Sequence, residues 1–117
     1  MQLLTTSFIM QHARVLYPDT HLKYADAAEL NVQDIVGKTF DEIEDEYGTI
    51  PKEFAIASLM VADTLIEYGE PNPHTGLLVP MSGFKLPFSL KSLLEKYSKP
   101  GIEDRIAYIE NMLRHNH

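Results

Sequence analysis

Apolar residues are densest over residues 50–68, IPKEFAIASLMVADTLIEY, the longest apolar run in the chain. Phe54, Ala57, Val61, Thr64, Leu65 and Tyr68 fall at helical spacing, and Ile56, Leu59 and Met60 widen the stripe. Only Lys52, Glu53, Ser58, Asp63 and Glu67 mark a polar side. A helix apolar over most of its circumference needs neighbours on several sides, so this one is predicted to sit at the centre of the fold. Thr49 is its predicted N-cap, and Pro51 suits a first turn, where the missing N–H would have no partner anyway. Gly69 is the predicted stop, and Pro71 and Pro73 prevent resumption. The apolar part falls short of the ~20 residues of a membrane span, and Asp63 interrupts it.

The flanking pattern predicts further helices. Thr5 or Thr6 caps a first short one, with Phe8, Ile9, Ala13, Val15 and Leu16 as apolar contacts, His12 and Arg14 on its surface, and an end before Pro18. Asp19 is the predicted N-cap of a second, whose inner stripe is Leu22, Ala25, Ala28, Val32, Ile35 and Val36 and whose stop is Gly37. Residues 38–48 read as a connection anchored by Phe40 and Ile43. Residues 70–87 hold four prolines and two glycines, too long a segment for an ordinary turn. Within it, residues 77–79 and 83–86 suit the two short strands of a hairpin. Phe88 or Ser89 begins a helix with Leu90, Leu93, Leu94 and Tyr97 on one face, ended by Pro100 and Gly101. A last amphipathic helix runs through Ile102, Ile106, Ile109 and Leu113, with Tyr108 and Met112 alongside.

The predicted fold is mainly α: a bundle of four to five helices around the central buried helix, with at most a small β-hairpin in the 70–87 loop. Residues 1–101 form the helical domain, and residues 102–117 add a C-terminal amphipathic helix to it. The predicted core is Leu22, Ala28, Val32 and Ile35 from the second helix, Phe54, Ala57, Val61 and Leu65 from the central one, and Leu90, Leu93 and Leu94 from the helix after the loop. Leu77, Leu78, Val79, Met81 and Phe84 are more apolar side chains than a solvated loop requires, which makes them the candidate subunit or partner interface.

Composition narrows the function. The 117 residues suit one domain, and a net charge of −7, from 10 Lys and Arg against 17 Asp and Glu, argues against gripping nucleic acid through its phosphates. With no cysteine there is no disulfide, thiolate metal site or thiol nucleophile. The N-terminal residues lack the basic start and long apolar stretch of a secretory signal, so an intracellular site of synthesis is expected. Asp41, Glu42, Glu44, Asp45 and Glu46 could attract a hard cation, but the alternating ligands and central glycine of a calcium loop are missing, and a solvated acidic turn is the reading. His12, His21 and His74 are scattered, while His115 and His117 belong to a polar terminus. No phosphate loop, nucleophile elbow or HExxH helix is present, so no catalytic residue, cofactor or metal is expected.

In the order of its motifs the chain resembles the small head-tail connector, or adaptor, proteins of long-tailed bacteriophages and prophages. The resemblance rests on an alanine-rich helix opening at an aspartate and closing in a glycine-plus-aromatic step, DTHLKYADAAELNVQDIVGKTFDE. A proline-led apolar helix follows, IPKEFAIASLMVADTLIEYGE, then a variable loop and the helix entry LPFSLKSLLEKY. These cover most of the chain. Two departures are evident: Tyr68 is followed by Gly69 and Glu70 instead of Glu and Arg, and residues 102–117 extend beyond where members often finish. The resemblance implies a compact helical, non-enzymatic protein that assembles with itself as a ring under the portal protein and seats a head-completion or tail protein. DNA would pass its channel only as cargo, and no membrane is involved. It also implies residence in the host cytoplasm during assembly and then at the head-tail junction of the virion. The competing expectations are an intracellular helical regulatory or antitoxin-like protein-binding module using the C-terminal helix, and a metal-dependent enzyme using the acids of residues 41–46 with a histidine.

Overall fold

The computed structural model describes residues 3–69 and 84–115. These form α1 (Thr6–Ala13), α2 (Asp19–Val36), α3 (Phe40–Tyr47), α4 (Lys52–Gly69), α5 (Ser89–Leu94), which tightens into a 3-10 turn over Glu95–Tyr97, and α6 (Ile102–His115). The class is mainly helical, with six α-helices among the described residues where four to five were expected. No strand occurs among those residues. Residues 77–79 of the expected hairpin lie outside them, and Phe84, Lys85 and Leu86, expected in its second strand, have no strand pairing.

Local chemistry accounts for most boundaries. The Thr5 side chain accepts the Phe8 N–H at 3.2 Å and starts α1, which ends at Arg14 in the left-handed region. That is sooner than expected, and Leu16 and Tyr17 are left outside the helix, each 80% exposed. Asp19 is the first residue of α2 rather than its cap, and Gly37 at φ 79° closes that helix by donating its N–H to Gln33. Residues 38–48 are not merely a connection. Thr39 Oγ1 accepts the Glu42 N–H at 3.1 Å while Glu42 accepts the Thr39 N–H at 3.0 Å, a reciprocal cap that nucleates α3. The hydrogen bonds from Thr39 hold the Glu42 carboxyl below its usual range. Phe40 and Ile43 are buried beneath α3, and its acids face outward.

The principal interfaces join α2 to α4, α2 to α6 and α4 to α5; α1 belongs to none of them. Ala28, Val32, Ile35, Phe54, Ala57, Val61, Leu65, Leu90 and Leu94 are all buried. Leu22 and Leu93 are a correction: they pack against the core from its edge and stay partly exposed. The fully buried Ala25 and Ala28 let a neighbouring helix approach α2 closely. Ile102 and Ile109 dock the added C-terminal helix onto its own chain.

Two polar fastenings complete the body. Arg105 on α6 donates from Nε to the Ile35 carbonyl at 2.7 Å and from Nη2 to those of Val36 and Lys99 at 3.3 and 2.6 Å. Its Nη1 donates to the Pro100 carbonyl at 2.8 Å. Carbonyls in the last turn of a helix lack donors from their own helix, and a cation is favoured beside them. Earlier in α2, Glu29, only 5% exposed, accepts the N–H of Leu3 on one carboxylate oxygen and that of Leu4 on the other, both at 3.0 Å. Hydrogen bonds of this kind make a buried carboxylate tolerable.

An aromatic cluster joins α3, α4 and the 3-10 turn: Phe54 lies 6.1 Å from Phe40 and 5.1 Å from Tyr97, with Tyr47 5.3 Å from Tyr97. The Tyr97 hydroxyl donates to Glu53 at 2.7 Å, holding that carboxyl below its usual range and raising the phenol above its own. The Glu53 contribution is therefore present above the unfolded carboxyl value and fades as pH falls through the lowered folded one. For Tyr97 it is present below about pH 10 and is lost as pH rises through the raised value. The melting-temperature advantage of the wild type over Tyr97→Phe is expected to shrink in acid in thermal melts from pH 7 to pH 2. A constant advantage across that window would mean the hydroxyl does not act through Glu53.

Candidate interaction surface around Phe84 and Phe88

Tyr68, near the end of α4, and Phe84 meet edge-on with ring centroids 5.5 Å apart. Phe84 is fully buried. Its carbonyl accepts from Arg114 Nε at 2.8 Å, and the Leu86 N–H donates to Glu110 Oε2 at 2.8 Å, so α6 fastens this segment through its backbone. The expected role of Phe84 in an exposed interface is corrected accordingly: its ring completes the monomer core. Leu77, Leu78, Val79 and Met81, the other candidate interface residues, lie outside the described residues.

Beyond this anchor the surface changes character. Phe88, immediately before α5, is 94% exposed. It borders a surface cavity of about 250 Å³ lined by Lys85, Leu86, Pro87, Lys91, Glu103, Ile106 and Glu110. Lys91 and Glu103 form an ion pair between α5 and α6, which raises the lysine and lowers the carboxyl from their ordinary values. Glu110 is already engaged by the Leu86 amide. The cavity falls below the roughly 300–1,000 Å³ that encloses a small ligand. Leu86, Pro87, Phe88 and Ile106 give the cavity an apolar lining beside the Lys91–Glu103 pair, an arrangement suited to receiving a side chain of another molecule. Tyr108 and Met112 add exposed apolar surface on α6.

The other sequence candidates are not brought together. His12 stacks on Phe8 with centroids 4.2 Å apart, and His21 meets Asp63 at 2.6 Å, bridging α2 to α4. Of the α3 acids, Glu46 pairs with Lys38 at 2.8 Å. Among the described residues no group of three or more His, Asp or Glu side chains is placed to hold a metal ion. His74 and His117 lie outside the described residues. The fastening roles of Glu29, Arg105, Glu110 and Arg114 had no counterpart in the sequence pattern, since each joins chain segments far apart. No protein-family model, curated protein or solved structure matches the chain.

Proposed function

We propose that the chain is a structural assembly subunit of the small head-tail connector kind, non-enzymatic, forming a ring with copies of itself beneath a portal protein. In this reading it seats a head-completion or tail protein, passes DNA only as cargo, and works first in the host cytoplasm and then at the head-tail junction. The observation that carries the reading is the order of the three sequence motifs. They lie on α2, α4 and α5, helices that pack in series. The acidic balance suits a channel that must release DNA. Among the described residues no helix is long and apolar enough to cross a membrane.

The regulatory or antitoxin-like alternative needs the C-terminal helix free to bind a partner. It has less support, because Ile102 and Ile109 of that helix are buried against the chain's own domain.

The proposal assigns assembly contacts to the 70–87 segment, with Leu78 as the test position now that Phe84 belongs to the core. A Leu78→Asp variant is expected to keep near-normal circular dichroism and melting. Its self-association, or its binding to a portal protein, is expected to weaken about tenfold or more in native mass spectrometry, since a charge would enter an apolar contact. Unchanged assembly would remove the role given to this segment; an unfolded variant would place Leu78 in the core.

A further inference from the structure

We infer that the N-terminal arm, residues 3–13, is an exchangeable element that docks on a neighbouring copy of this chain. The receptor for it is built into α2. Glu29 offers two carboxylate oxygens to two successive arm amides at 3.0 Å each, and Leu4 and Ile9 are both fully buried. None of these contacts depends on which chain supplies the arm. α1 shares in none of the principal helix interfaces, so the cost of the arm leaving is the exposure of Leu4, Ile9 and the core they cover rather than the loss of the α2–α4, α2–α6 or α4–α5 pairing.

The tether supplies the reason to exchange. Residues 14–18 carry Arg14 at φ 55°, a left-handed conformation that side-chain-bearing residues seldom adopt. They also carry adjacent Leu16 and Tyr17, each 80% exposed, although neighbouring large apolar side chains are poorly placed in water. When an arm crosses to a second copy, its docking contacts are transferred rather than lost, so the balance is set by the tether and by the new surface beside it. In that arrangement the tether runs between the two bodies and Leu16 and Tyr17 lie along the new interface. Head-to-tail exchange closes a ring, and reciprocal exchange closes a dimer; the inference does not depend on the connector reading.

The experiment uses the full chain, with native mass spectrometry and light scattering over a range of concentrations. The wild type is expected to show a concentration-dependent oligomer. Deleting Leu16 and Tyr17 shortens the tether so that the arm cannot close on its own body, and the oligomer is expected to persist to at least tenfold lower concentration. Inserting a glycine-serine stretch after Arg14 should favour closure and give monomer. If the wild type is monomeric throughout, or the insertion leaves its oligomer unchanged, the inference fails. It also fails if the deletion yields folded monomer, since Leu16 and Tyr17 would then be acting as a simple sticky patch. Should the deletion variant not fold, the insertion still decides the matter.

Discussion

Phe54→Ala is expected to be the most damaging single substitution in α4, lowering stability by about 3–5 kcal/mol. The ring is fully buried and touches aromatic neighbours from two other elements, so its removal forfeits transfer free energy and opens a cavity between them. Its two aromatic neighbours are poorly placed to collapse into the space: Phe40 is held by the capped α3, and Tyr97 is tied to Glu53 by its hydroxyl. Leu65→Ala is expected to cost about 2–5 kcal/mol and Val61→Ala somewhat less, since fewer atoms are removed. Urea denaturation is the direct check, and the midpoint should fall with the slope little changed. A midpoint unmoved by Phe54→Ala would mean the aromatic cluster is not part of the cooperative core.

Arg105→Ala is the second large effect, at about 2–4 kcal/mol. One guanidinium serves four carbonyls drawn from the end of α2 and from the turn before α6. Charge-assisted bonds of this kind contribute more than neutral ones, but carbonyls near the surface recover water when the donor goes, so the loss falls well below the sum of four bonds. Arg105→Lys should recover less than half of it, because a single ammonium cannot reproduce the planar fork. Thermal melts of both variants test this. Full recovery by lysine would show that charge near the end of α2 matters and directed hydrogen bonding does not.

What could be read from the sequence was what periodicity and local caps encode. α4 and α2 announce themselves because their stripes run through several turns and end in Gly69 and Gly37. α3 reads as a connection because it is short and crowded with acids, which look like solvated charge. Its signal was nevertheless present, as Thr39 three residues before Glu42 with Phe40 and Ile43 turned inward. Phe84 shows the opposite failure: an aromatic among prolines and glycines carries no periodicity, and only its meeting with Tyr68 reveals its burial. Nor could Glu29 be told from a surface acid by its position in α2. Its burial depends on amides at residues 3 and 4, and such distant pairings leave no mark on a local pattern.

The Arg105 contact also sets an order on synthesis. The Ile35 carbonyl and the Arg105 side chain that meets it are separated by 70 positions in the chain. At roughly 5–20 residues per second, a ribosome needs about 4–14 s to pass from one to the other. Within that interval α4 is itself completed and can pair with α2, while the carbonyls at the C-terminal end of α2 rely on water. The nascent chain therefore gains its main helix pair first and seals the end of α2 only as α6 emerges, which makes α6 the closing piece of the described body.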